Sequence, residues 1–212
     1  MPRAKQRTPE LRAEVLRVAI ATLEAEGASA LTARRIAQEA NTSLPAVYEL
    51  FGDKAGVLRE VFYEGFRMLA ARYAALPVAA DARAALVDTL QAIRMFCRAH
   101  RALAELMFSR PFAEFDPGPE ERAAGVETRE VIVTQVRRAL DAGAIAGDAT
   151  DIAHVLLAVV QGLALQETAG WLGGSRASIE RRWNLAIDAT LAGLTPARSG
   201  TKRTSSPRRA RT

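Results

Sequence analysis

Apolar residues recur along most of this chain at spacings of three and four, the period of helices with one buried face. Leu11, Val15, Val18, Ala19 and Leu23 form the first stripe, opened by Thr8, Pro9 and Glu10 and stopped by Gly27. The next is short: Thr32 caps a helix with Ile36, Ala37 and Ala40 on one side and Arg34, Arg35, Gln38 and Glu39 on the wetter faces. Asn41 ends it, because Asn accepts the left-handed backbone needed where two helices meet sharply. Ser43 then caps a third helix with Pro45 in its first turn and Val47, Leu50 and Phe51 on its apolar side. So short a helix is not stable alone and has to be held against its neighbours, which leaves its amino-terminal end presented outward. This is the layout of a helix-turn-helix over about residues 32–51, whose second helix enters the major groove of DNA.

The pattern continues to residue 194. Lys54 to about Ala75 carries Val57, Leu58, Val61, Phe62, Phe66 and Leu69 on one side, long enough to join a small headpiece to a larger body, and Pro77 closes it. Asp81 starts a helix with Ala85, Leu86, Leu90, Ile93 and Phe96 or Cys97 inward. A short piece from about Ala102 to Phe108 and the loop PFAEFDPGPEE follow. Pro119 and Glu120 open a helix with Val126, Val131, Val133 and Leu140 among its apolar residues, ending at Gly143. Asp148 starts the next, and Ser175 or Ser178 the last, which runs to Gly193. Few strand signals appear, so the expected fold is all-α with about nine helices.

Leu31-Thr32, Ile36-Ala37, Ala40, Ser43, Val47-Tyr48, Phe51, Lys54 and Leu58 together closely resemble the amino-terminal domain of the tetracycline-repressor (TetR) family of transcription regulators. With the preceding helix the likeness covers roughly the first third of the chain. The family usually has Gly at the place of Asn41 and an apolar residue at that of Thr42. Asn is the next-best left-handed residue, while Thr42 packs less well. The resemblance implies a DNA-binding domain over residues 8–68 and a ligand-binding and dimerisation domain over 69–194, between a basic arm (1–7) and a basic tail (195–212). It places Thr32, Tyr48 and Lys54 at phosphates, which fix register without carrying sequence information. It places Ser43, Leu44, Pro45 and Ala46 at base edges. That helix has no Arg, Lys, Asn or Gln for a bidentate base contact, so its reading relies on thymine methyls, on Glu49 accepting from cytosine, and on Arg34 or Arg35 reaching across.

The last two helices are apolar over more than one core face requires. The resemblance implies that they pair with their copies in a two-fold dimer, with Val155, Val159, Leu163, Trp183, Ile187 and Leu191 at the interface. It further implies a repressor on a near-palindromic operator, released by a small-molecule effector that shifts the population away from the DNA-competent state.

Composition narrows the setting. The chain has 212 residues, 49% apolar but only 6% aromatic, as suits an Ala- and Leu-rich helical bundle. The sequence MPRAKQR has no apolar core behind its charges and reads as no secretory signal; Val155–Val160 is far short of a membrane span; a single Cys97 permits no internal disulfide. A cytoplasmic protein with no membrane partner is expected. Net charge is +5, yet Arg3, Lys5, Arg7, Arg198, Lys202, Arg203, Arg208, Arg209 and Arg211 have no acid among them, and removing these nine from the 29 basic residues leaves 20 against 24 acidic. The basicity therefore lies at the ends, where it serves solubility or sequence-independent phosphate contact, and the Gly, Ser, Pro and Thr around the last charges read as disorder.

Arg94, Met95, Phe96, Cys97, His100, Met107, Phe108, Phe112 and Phe115 gather the soft and aromatic side chains around one helix end and loop, either as ordinary core or as a cavity between helices. Gln135, His154 and Gln161 are its candidate polar contacts. No cofactor or metal is expected. Cys97 and His100 share a helix face, a pairing used for nucleophiles and metal ligands, but no third ligand, acid pair, phosphate loop or nucleophile elbow accompanies them to make a small-molecule enzyme. A ligand-independent DNA-binding dimer is the other alternative, separated from the regulator by whether a ligand releases a defined operator.

Overall fold

The computed structural model describes residues 8–109 and 117–196. The basic arm, Phe112, Phe115 and all the tail charges lie outside them. Nine α-helices are present among the described residues, and no strand: α1 Pro9–Glu26, α2 Ala33–Glu39, α3 Leu44–Phe51, α4 Lys54–Ala74, α5 Ala82–Ala99, α6 Arg101–Ser109, α7 Pro119–Asp141, α8 Ala149–Thr168 and α9 Arg176–Gly193. A 3₁₀ turn, Ala28–Ala30, separates α1 from α2.

Local chemistry sets the boundaries. The side chains of Thr8, Thr32, Ser43, Asp53, Asp81 and Asp148 each accept from an amide in the first turn of the helix they precede. At α9 both candidate serines act, each hydroxyl accepting at 3.2 Å from the other's backbone N–H. Gly27 stops α1 with φ 78°, and Asn41 makes the turn between α2 and α3 with φ 48°, a left-handed non-glycine residue.

One buried cluster runs unbroken from Val15 in α1 to Leu191 in α9. Helix α4 crosses it without a break: Val57, Leu58, Val61 and Phe62 pack in the headpiece, and Phe66, Leu69 and Tyr73 in the body. No gap therefore marks residue 68. Close approach ties the two halves. A Cβ on Gly56 would lie 1.7 Å from the Phe51 carbonyl oxygen, and one on Gly65 2.5 Å from Met107 Sδ, so α3 and α6 sit directly on the backbone of α4. Glu24 of α1 adds a polar tie, its carboxylate accepting from the amides of Ala102 and Leu103 at 3.2 and 3.1 Å, at the start of α6.

Arg94, expected among pocket or core residues of α5, anchors the body instead. It is 3% exposed. Its Nε donates to Glu167 of α8 at 2.9 Å, a terminal nitrogen donates to Glu180 of α9 at 2.9 Å, and its guanidinium lies 4.7 Å above the Trp183 ring. The Trp183 indole N–H donates to the same Glu167 carboxylate at 2.6 Å, and Arg98 approaches it at 3.4 Å. Two arginines and two glutamates thus lock α8 and α9 onto α5.

Three expected interface residues are corrected by this packing. Trp183, Ile187 and Leu191 are buried within the chain at 0, 3 and 1% exposure. Four-residue spacing puts them on one stripe of α9, and that stripe faces α8 and the core. The outward stripe holds Leu185, 69% exposed, with Ala189 and Ala192. On α8, Val155 is half exposed and Val159 and Leu163 half buried. With a mean hydropathy of 1.4 over an 18-residue window, α8 is long and apolar enough to cross a membrane, yet it packs against α5, α7 and α9.

Candidate nucleic-acid interface and effector clefts

Three helices build the outward surface of the headpiece. Ile36, Ala37, Val47 and Phe51 bury the inner faces of α2 and α3, which leaves Thr32, Arg34, Ser43, Pro45, Tyr48 and Lys54 exposed. Leu44 is half buried against the core. Ala46 is corrected: at 5% exposure it offers no methyl to a base, because it follows the inward side of a helix only eight residues long. The two arginines of α2 differ. Arg35 is bound by Glu26 and by Glu39 at 2.7 Å, and the hydrogen bonds it donates, to Glu26 first and Glu39 second, hold its pKa above the ordinary arginine value. Arg34 is exposed and makes no ion pair among the described residues. The turn hides one defect, since the Thr42 hydroxyl is buried without a hydrogen-bond partner among the described residues.

Arg12 of α1 supports this surface from behind. Its guanidinium pairs with Glu60 of α4, donates to the Leu50 carbonyl at 3.0 Å and lies 4.9 Å from the centre of the Phe51 ring.

Two clefts open in the body and share Phe108 and Gln161. The first, about 490 Å³, is lined by Glu24, Cys97, Arg101, Ala102 and Leu165 among others. The second, about 390 Å³, has Phe66, Leu69, Ile93, Met107, Arg129, Ile132 and His154 in its walls. Of the expected pocket residues, Cys97, Met107, Phe108, His154 and Gln161 thus line one cleft or both. Phe96, His100 and Gln135 are corrected. Phe96 is 1% exposed, its ring in the core 5.1 Å from that of His100, and neither residue lines either cleft. Gln135 lies further along α7, in a separate hollow of about 190 Å³ beside Pro77 and Val78, its amide oxygen accepting from Arg138. Two residues here escaped sequence reading. Arg129 sits beside the buried Thr128 and Ile132 on α7, and a charge next to an apolar stripe was a usable signal. Glu24 gave none, since its partners lie 78 and 79 residues away.

The chemistry of the Cys97–His100 face is not that of a nucleophile. Burial pushes the Cys97 thiol up to about 12, far from the thiolate. No group of three or more possible metal-binding side chains exists among the described residues.

Comparison with known proteins agrees with this arrangement. The profile of the bacterial regulatory proteins, tetR family, matches residues 15–61, and that of the tetracyclin repressor-like C-terminal domain matches residues 86–190. A protein of unknown function from Rhodococcus sp. RHA1 is 30% identical with a TM-score of 0.79, over 92% of this chain and 100% of that one. A regulatory protein in the tetR family from Rhodococcus RHA1 shares the fold at 20% identity and TM-score 0.67, over 90% and 100%. A transcriptional regulator from Saccharomonospora viridis in complex with choline does so at 23% and 0.70, over 85% and 97%. No curated protein sequence matches the chain. With the helix-turn-helix at one end and the matching body at the other, the chain belongs to the TetR family of DNA-binding transcriptional regulators and is not an enzyme.

Proposed function

We propose that this chain is a homodimeric, cytoplasmic repressor that grips a near-palindromic operator and lets go when a small molecule enters its body. The observation that carries this reading is the continuity of α4: one helix packs the headpiece with Val57, Leu58, Val61 and Phe62 and walls a cleft with Phe66, Leu69 and Tyr73. Rings run along the same path, Phe62 to Phe66 at 5.0 Å and Phe66 to Phe108 at 6.3 Å. A ligand that displaces these side chains acts on the headpiece through a rigid element, and its differential affinity for two headpiece positions is the coupling free energy. The Saccharomonospora viridis regulator, built on the same fold, holds choline, which supports a body that accepts small molecules.

The dimer reading rests on Val155 and Leu185, which are 50 and 69% exposed on α8 and α9. On DNA, Thr32, Tyr48 and Lys54 hold phosphates. Ser43, Leu44 and Pro45 meet base edges, and Arg34 reaches across as the charge Arg35 does not supply. Residues 8–68 form the DNA-binding unit and 69–194 the effector and dimerisation unit, a division of labour within one core.

Selection of bound DNA from a random pool tests the reading. An inverted repeat with half-sites about one helical turn apart is expected; recovery of unrelated sequences would refute operator recognition. Retention of that operator against every member of a metabolite panel would refute release by a small molecule.

A further inference from the structure

The 390 Å³ cleft among α4, α5, α6, α7 and α8 contains Arg129 but no carboxylate among the described residues of its lining. Elsewhere Arg12, Arg35 and Arg94 all meet carboxylates. The Nε of Arg129 is buried with no hydrogen-bond partner among the described residues. One of its terminal nitrogens lies 3.5 Å from His154 Nε2, a long and weak contact. The other ring nitrogen of His154 is 2.8 Å from the Thr150 carbonyl oxygen, which only accepts; Nδ1 therefore carries a hydrogen, and in the neutral ring Nε2 is the acceptor toward Arg129. The Thr128 hydroxyl nearby already donates to the Ala124 carbonyl. In a cleft whose walls include Phe66, Leu69, Ile93 and Ile132, the buried Nε–H of Arg129 thus stands unpartnered among the described residues, a state that costs free energy.

Building on the effector reading above, we infer that this cleft takes an amphipathic monocarboxylate, its apolar body against those four side chains and its carboxylate on Arg129. The guanidinium fork offers Nε and a terminal nitrogen side by side to the two oxygens of one carboxylate. A cationic ligand is opposed by the same charge, and a neutral oxygen accepts from the N–H without balancing the guanidinium charge. The volume falls in the range of small-molecule sites, roughly 300–1,000 Å³.

The test titrates the full chain calorimetrically with decanoate and 4-phenylbutanoate, against decan-1-ol and decylamine as neutral and cationic counterparts. At least one carboxylate is expected to bind roughly ten- to a hundredfold tighter than the alcohol and the amine. Arg129→Met, its fold checked by circular dichroism, is expected to erase the preference while the alcohol still binds. Arg129→Lys, which keeps the charge without the fork, retains part of it and decides the matter if the Met variant unfolds. Equal binding of acid and alcohol to the wild type, or a preference that survives loss of the guanidinium, overturns the assignment. A gel shift on the selected operator separates the two readings. A carboxylate that binds through Arg129 without releasing DNA refutes the effector role and leaves the assignment intact. Release of DNA by the alcohol as readily as by the acid does the reverse.

Discussion

Replacing Glu167 with Ala removes the centre of the network that joins α5, α8 and α9. Arg94, at 3% exposure, would keep only Glu180, whose side chain is 49% exposed, and the Trp183 indole N–H would lose its acceptor. Breaking one half of a buried ion pair costs about 3–5 kcal/mol, because the remaining charge stays desolvated. The indole is part of the same unit and adds less than a separate loss would. For a urea slope near 3 kcal/mol/M, the unfolding midpoint falls by about 1–1.7 M at fixed protein concentration. Glu167→Gln should lie between wild type and Ala, since its amide oxygen still accepts from Trp183. The double variant Arg94→Met/Glu167→Met should regain most of the loss, because two apolar side chains leave no buried charge behind. A fall below about 1 kcal/mol for Glu167→Ala, the level of an exposed pair, would refute this account of the network.

Further expectations follow from the headpiece and the core. Arg34→Ala should weaken operator binding and relax its sequence preference in a fluorescence-anisotropy titration, whereas Gln38→Ala on the same helix should do neither; equal effects would remove Arg34 from the interface. Arg12→Ala is a different experiment, since it strips contacts from Leu50, Phe51 and Glu60 and should lower the melting temperature first. Thr42→Val should stabilise by about 1 kcal/mol, because it keeps the shape and removes a buried, unpartnered hydroxyl; a loss in a urea melt would contradict that assignment. Cys97 should react with a thiol reagent at pH 8 only as fast as the protein opens. Its pKa is raised by burial from 9.0 to about 12, so above pH 9 the unfolded chain loses the proton first. The thiol's contribution therefore falls as pH rises from 9 toward 12, and Cys97→Ala should flatten that part of the stability profile.

Short-range chemistry was legible in the sequence. Asn41 at the turn, the Asp, Ser and Thr caps and the Gly27 stop each act on neighbours within a few residues, so spacing reveals them. The choice of face was not. On α9 two apolar stripes compete, and nothing local says that Trp183, Ile187 and Leu191 turn inward while Leu185 turns out. Ala46 and Gln135 failed for the same reason, as each sits where a small change in helix rotation decides its surroundings. Arg94 and Glu24 lay beyond any pattern, because their partners are brought close by tertiary packing across more than 70 residues. The exposure of the residues on α2 and α3, set by adjacent short helices, was therefore more legible than the clefts, one of which draws its walls from four helices and the other from five.

Helix α4 sets the sensitivity of the whole device. Its 21 residues span about 31 Å, so a tilt of roughly 5° about the cleft end sweeps the headpiece end through about 2.7 Å. In a two-fold pair the sweeps add when they are opposed, against a half-site spacing of about 34–36 Å on DNA. Phosphate contacts hold only within a few tenths of an ångström of their ideal distance. On the reading proposed above, the lever arm converts a side-chain-sized displacement at Phe66 into a mismatch at both ends of the operator, so the effector acts by setting an angle.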